Sequence, residues 1–202
     1  MDTFEAIYGR RSIKQYDPDF TIPADDERKL LEAAIQSPTS FNIQHWRFVV
    51  VKDPELREQI RANGNDQAQM TEASLLIVMT ADVKAWQKDP QRYWQHAPKD
   101  IAELLVNWMG PFHEGKERLQ QDEAQRSIGM AMQTIMLAAK AMGYESCPMI
   151  GFDHEKVAEL INLPADHCMG PMIAVGKGIK DAWPKPGQLA LDEVVITDRF
   201  AP

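Results

Sequence analysis

The chain has 202 residues, is 44% hydrophobic and carries a formal net charge of -8, enough apolar material for one domain with a sizeable core. A negative field of that size argues against general binding to nucleic acid or to an anionic membrane surface. Neither a charged-then-apolar leader nor an apolar run near the ~18 residues of a membrane span is present, so the expectation is a cytoplasmic protein with no membrane partner.

At the start, Asp2 or Thr3 caps a short helix over residues 4–8, with Phe4, Ile7 and Tyr8 on one side and Gly9 as its stop. Arg10-Arg11-Ser12-Ile13-Lys14 follows and reads as an extended piece ending in the turn at Asp17-Pro18. In an extended chain Arg10, Ser12 and Lys14 share one face. Arg forks match phosphate oxygens and Lys is a compact charge suited to a developing anion. A solvated basic turn after a helix reads the same way, and both readings stay open at this point. Ile22-Pro23-Ala24 opens a second helix with Leu30, Leu31, Ala34 and Ile35 toward the core, and Ser37-Pro38 stops it. Residues 38–44, Pro-Thr-Ser-Phe-Asn-Ile-Gln, are dense in hydroxyl and amide groups, which suit a flat ring with alternating donors and acceptors. A polar helix-to-strand connector has the same composition. Residues 46–51 are β-branched and aromatic, hence a buried strand.

Residues 55–62 read as a helix closed by Asn63-Gly64-Asn65, and residues 75–80 as a second buried strand. Between residues 86 and 113 the chain gathers Trp86, Tyr93, Trp94, Trp108 and Phe112 with His96 and His113. These are either an aromatic wall for a stacked substrate or a surface helical pair packed on its own subunit or across a dimer. Residues 126–143 are apolar nearly all round, with Gly129 and several alanines, which predicts a central helix packed on most sides and ended by Gly143. Residues 144–152 are too short and Pro-punctuated for another helix, so a loop is expected there. Asp153 starts a helix to residue 162, and residues 172–175 form a strand. Gly176-Lys177-Gly178 lacks the rest of a GxGxxG, so no Rossmann site is read. Residues 193–197 alternate as an edge strand. Cys147 and Cys168 form no CxxC pair and no histidine stands at ligand spacing beside them, so neither a structural metal nor a disulfide is expected.

Taken in order, RRSIKQY after a short helix, a helix ending in SPTSFNIQHW, the strand FVVV, ESCPMIGFD, PMIAVGKG and the closing PKPGQLALDEVV resemble the flavin-dependent nitroreductase family. The likeness covers most of the chain outside residues 81–125. It implies an α+β fold: a mixed, mostly antiparallel sheet flanked by helices around a buried central helix, one FMN-binding domain over residues 1–202 with a variable helical excursion at 82–125. It further implies an intertwined homodimer with FMN sites at the interface, a tail that crosses to the partner's sheet, and small interface residues Gly129, Ala131, Ala138 and Ala139. The activity implied is NADH- or NADPH-dependent reduction of a small acceptor, a nitroaromatic, a quinone or an enone, by ping-pong hydride transfer through flavin N5. The alternative is a flavin-binding protein without steady turnover, or a member diverted to another flavin reaction.

Carried over by position, the resemblance assigns Arg10, with Arg11 and Ser12 beside it, to the phosphate and ribityl end of FMN. Lys14 falls at the N1 and C2 carbonyl edge, where a fixed cation stabilises the charge of the reduced ring. Pro38, Thr39, Ser40, Asn42 and Gln44 fall where the family reaches the flavin held mainly by the other subunit. Pro148, Met149, Ile150 and Gly151 fall over the ring's other side, and Gln67 and Gln69 beside its dimethylbenzene or ribityl region. Lys185 and Gln188 fall at the closing segment. Ile150 stands where many relatives carry a carboxylate, and Gly187 or Gln188 replaces a usual Arg, so FMN affinity is expected to lean harder on Arg10 and Arg11.

Overall fold

In the computed structural model, which describes residues 1–200, a four-stranded sheet is clothed by helices on both faces. The chain runs α1 (Thr3–Gly9), α2 (Ala24–Ala34), β1 (Trp46–Val50), α3 (Pro54–Ala62), the single turn α4 (Gln69–Glu72), β2 (Leu75–Asp82), α5 (Lys99–His113), α6 (Glu117–Ala141), β3 (Glu145–Met149), α7 (His154–Leu160), β4 (His167–Gly176) and the short α8 (Leu191–Val194). Three caps follow directly from sequence. Asp2 accepts from the Glu5 amide at α1, Asp53 from the Glu55 amide at α3, and Asp153 from the Lys156 amide at α7. Among the described residues no helix is long and apolar enough to cross a membrane.

The strands lie in the order β1-β2-β4-β3 and every neighbouring pair is antiparallel. The parallel component of the expected mixed sheet reduces to one bridge, Ser12 to Ser146. Central β2 is buried at all eight positions, because its two faces meet two different layers. Leu75, Ile77, Met79 and Ala81 pack toward α2 and α6, while Leu76 and Val78 pack toward Ile13, Tyr16, α3 and α7. Each such aliphatic side chain contributes on the order of 1.5–3 kcal/mol by leaving water. Gly170 lets α6 press onto the sheet, since a Cβ there would lie 2.8 Å from Ile128 Cγ2 and 2.9 Å from the Met79 carbonyl.

Several expectations change. β1 is an edge strand, mostly half-buried, because only β2 pairs with it. Within residues 144–152, Glu145–Met149 form β3 rather than a loop; Pro148 is tolerated because β3 is the opposite edge. Ile35 points to solvent, one position past the last turn of α2. The helix read at 126–143 begins at Glu117 and is buried along one side only, through Ala124, Ser127, Ile128, Ala131, Ile135, Met136 and Ala139. Gly129, Met130, Gln133 and Ala141 face outward. Ala131 and Ala139 therefore serve this chain's own core and are not free to meet a second helix. Gly143 takes the left-handed turn expected of it, φ +86°, and Tyr144 N–H donates to the Ala139 carbonyl at 2.8 Å. The segment 193–197 is no edge strand: α8 and the residues after it are exposed throughout and pair with nothing among the described residues.

Candidate functional site

The cationic segment is placed by two backbone contacts. α1 ends at Gly9, the chain turns extended at Arg10, and Ile13 N–H donates to the Ser146 carbonyl at 3.1 Å, pinning the segment beside edge strand β3. Ile13 goes into the core, and Ser12 and Lys14 face outward. Arg10, Arg11, Ser12 and Lys14 line a cavity of about 430 Å³ with Trp183, Lys185 and Gln188. The stiff Trp183-Pro-Lys-Pro run closes it: Arg11 donates to the Trp183 carbonyl, Lys14 Nζ stands 6.0 Å from the Trp183 ring centre, and Lys185 donates to the Tyr8 carbonyl at 2.8 Å. Arg10 differs from these. Its Nη1 is buried and has no hydrogen-bond partner among the described residues. A buried guanidinium nitrogen without an acceptor, in a cavity carrying three more cations, is the donor set an anionic group such as a phosphate monoester fits.

An amide cluster stands next to it. After α3 the chain takes left-handed φ at Asn65 and Asp66, turning the following residues toward the end of β3. Asn65 Nδ2 and Gln67 Nε2 both donate to the Gly151 carbonyl, at 2.9 and 3.0 Å, and Gln69 donates to Gln67 Oε1 at 3.0 Å. Asp66 pairs with Arg61 instead. Cys147 joins the two groups: burial pushes its thiol up, while Lys14, Arg10 and a hydrogen bond to Gln69 pull the other way. Arg10, Lys14, Gln67, Gln69, Pro148 and Gly151 are thus brought together at one sheet edge. Met149 is part of the core and offers no side chain to a ligand, whereas Ile150 is 63% exposed. Asn65, Trp183 and Cys147 were not legible as participants; the Asn-Gly-Asn turn signal marked where Asn65 lies but not what it would hold.

Residues 38–44 lie elsewhere. They lead into β1, the other edge, and carry left-handed φ at Phe41, Asn42 and Gln44. Gln44 N–H donates to Thr39 Oγ1 at 2.9 Å and Asn42 Nδ2 to the Tyr93 carbonyl at 2.7 Å, so part of this segment's polar capacity holds its own shape. Three strand spacings of ~4.8 Å separate β1 from β3, about 14 Å across the sheet. Pro38, Thr39, Ser40, Asn42 and Gln44 are therefore not brought to the Arg10 cavity of the same chain. Around them Tyr93, Trp86 and Trp94 pack with Ile43, Ala85 and Met109 on their own subunit, while Trp108 and Phe112 stay exposed on α5. The expected helical pair is here two short 3-10 turns, Ala85–Gln87 and Pro90–Trp94, followed by α5. One side-chain group among the described residues has metal-like spacing, Asp82 with Asp166 and His167, and the Lys88 ammonium already bonds both carboxylates at 2.8 and 2.6 Å. Both cysteines are free thiols.

Comparison with known proteins gives a consistent result. The model of the nitroreductase family matches residues 7–177. Protein DrgA of Synechocystis is 60% identical over 200 residues, covering 96% of this chain and 95% of the relative. A Thermus thermophilus NADH dehydrogenase is 29% identical, covering 97% and 96%. Among solved structures, a Staphylococcus epidermidis protein described as a candidate NAD(P)H:FMN oxidoreductase superposes with a TM-score of 0.89 at 28% identity, covering 96% of this chain and 95% of that one.

Proposed function

The chain belongs to the nitroreductase family, and on that premise we propose that it is an FMN-dependent oxidoreductase using NADH or NADPH to reduce a small acceptor, a nitroaromatic, a quinone or an enone. The observation that carries this reading is the buried, unpartnered Arg10 Nη1 in a cavity shared with Arg11, Lys14 and Lys185. The name of the Staphylococcus epidermidis neighbour, which includes FMN, and those of relatives acting on nicotinamides point the same way. When bound, FMN supplies two-electron, hydride-accepting chemistry at its ring.

The chain's own residues do the rest. Arg10 offers its free nitrogen to the phosphate, and Arg11 and Lys185 hold the rim of the same cavity. Lys14 sets a positive charge where the ring's charge changes on reduction, so its effect is electrostatic and no side chain need act as a nucleophile. Gln67, tied to the Gly151 carbonyl, and Gln69, tied to Gln67, present amide groups of fixed orientation. A single pocket serves both half-reactions: the nicotinamide leaves before the acceptor enters, a ping-pong scheme.

The placement of the two polar segments at opposite edges of the sheet supports a homodimer in which residues 38–44 of one subunit complete the site of the other. Phe4 and Tyr8 on α1, Met130 on α6, and Leu189, Val194, Ile196 and Phe200 of the tail are exposed apolar groups that such a partner would cover. A cytoplasmic, soluble assembly is part of the same proposal.

Anaerobic mixing of the yellow protein with NADPH and with NADH tests the activity. Rapid loss of the oxidised-flavin absorbance, restored by a quinone or nitroaromatic, is expected. A flavin that neither nicotinamide bleaches would leave a flavin-binding protein without reductase turnover. Sedimentation followed at the flavin band tests the assembly, and flavin travelling with a single 22.9 kDa chain would overturn the shared site.

A further inference from the structure

His45 directly follows the 38–44 segment and is fully buried. Its Nδ1 lies 3.2 Å from Ser127 Oγ, and that hydroxyl donates its hydrogen to the Glu123 carbonyl at 2.8 Å. A hydroxyl whose hydrogen is committed can only accept, so the proton sits on His45 Nδ1 and Nε2 is a bare lone pair. His113 reaches the same state by another route. It too is fully buried, and its Nδ1 lies 2.8 Å from the Met109 carbonyl, which only accepts. Neither Nε2 has a hydrogen-bond partner among the described residues.

Two acceptors cannot satisfy one another, yet donors are missing partners in the same part of the fold. The indole nitrogens of Trp86 and Trp94, which pack in the cluster with Ile43 and Met109, are also buried and unpartnered. The Trp86 ring stacks on His113 at 5.5 Å, and Phe41 of the 38–44 segment meets His113 edge-on at 5.7 Å. Bare acceptors and bare N–H donors gathered in one buried region are the requirement water meets, since it accepts from an indole and donates to an imidazole.

We propose that internal water bound at His45 Nε2 and His113 Nε2 makes this pair a positioning site for residues 38–44. Its bearing on catalysis rests on the flavin reading above; the water site itself does not. The titratable groups facing His45 are His113, Asp82 and Arg47, and those facing His113 are Glu123 and Lys116. Burial is the largest influence on both rings and lowers both, His45 to about 4; His113 and Arg47 add to that and Asp82 opposes it, while at His113 the Met109 bond and Glu123 oppose and Lys116 adds. Both imidazoles are therefore neutral at neutral pH and keep their lone pairs for water.

Nitrogen-15 NMR of the histidine side chains in the full-length protein, with and without FMN, reads the tautomers directly. The expected result is protonated Nδ1 and hydrogen-bonded, unprotonated Nε2 at both residues at about pH 8, with exchange to water, and no change at His45 down to about pH 6. A protonated Nε2, or titration of both rings at the ordinary imidazole value, would overturn the site whatever the protein's activity. Variants read the positioning role. His45→Leu is expected to weaken FMN binding about tenfold, and His45→Gln, which keeps an acceptor at the ε position for the water, to recover to within about threefold of wild type. Equal loss in both variants, or none in His45→Leu, would deny the pair its positioning role. If the wild type binds no FMN, the flavin reading fails while the NMR result still decides the water site.

Discussion

Arg10→Ala should move two measurements in opposite directions, and the structure says why. The Arg10 guanidinium is half-buried, and its Nη1 has no acceptor among the described residues. A buried donor without a partner is a liability of about 1–3 kcal/mol. Removing it therefore should not lower the melting temperature of the FMN-free protein, and a rise of up to a few degrees is expected. With FMN bound the same change removes a charge-assisted hydrogen bond worth about 1.5–3 kcal/mol. At about 1.4 kcal/mol per tenfold, FMN should bind roughly 10- to 100-fold more weakly, and the variant should purify pale. Arg10→Lys keeps the charge but loses the fork, and should fall between. FMN affinity from fluorescence titration and melting curves of the apoprotein are the assays. Affinity within about twofold of wild type would return Arg10 to a solvated turn, since a lost ionic contact cannot be that small. An apoprotein that melts markedly lower would show the guanidinium to be a structural prop.

Lys14→Ala should keep FMN, because the other cavity cations remain, but slow reduction by NADPH on the order of 10²-fold in stopped-flow; an unchanged rate removes Lys14 from its electrostatic role. Ile77→Ala, in the all-buried β2, should cost about 2–5 kcal/mol in urea unfolding with little change in the slope, and a loss below ~1 kcal/mol would mean the core is not packed as described. The Lys88 ammonium, and after it His167, hold the Asp166 carboxyl down at about 2. A depressed carboxyl supports the fold above the ordinary carboxylate range and loses that support as pH falls through about 2. Lys88→Ala should therefore shift Asp166 back toward the ordinary range in an NMR titration, and an Asp166 that still titrates at its low value would assign the effect elsewhere.

The fold was legible where a local signal and the tertiary environment agree. Asp153 is a capping signal that needs nothing from the rest of the chain, and α7 starts where it stands. The run 75–80 is legible as buried because a strand facing two layers needs a near-continuous apolar run, and the one polar member, Thr80, donates to the Arg47 carbonyl. The strand 145–149 was missed for the converse reason. Pro148 forbids a central strand but not an edge, and whether a strand is an edge is a property of the sheet, not of the segment. The same ignorance of neighbours made 46–51 look more buried than it is, and let the alternation at 193–197 suggest a strand where this chain supplies no mate.

The site divides along the same line. The cationic segment could be read from residue type and period because its role needs only charges on one face. The way it is held could not, since Ile13 N–H to the Ser146 carbonyl, Arg11 to Trp183 and Lys185 to Tyr8 each join residues more than 130 positions apart. Long-range contacts of this kind leave no trace in either segment alone. They also decide what the all-round apolar character of 126–143 means. A helix confined to this chain's core would need only the Ala124, Ile128, Ala131, Ile135, Ala139 side to be apolar, and solvent would favour polar residues opposite. Instead Gly129, Met130 and Ala141 face outward. Exposed Met and Gly on the outward side of a helix whose other side is core are costly to leave in water and to order, so the outward face reads as suited to a second contact that residues 1–200 of one chain do not make. On the proposed dimer, that face and residues 38–44, at the sheet edge opposite the cations, are two separate features that one two-fold partner would cover together.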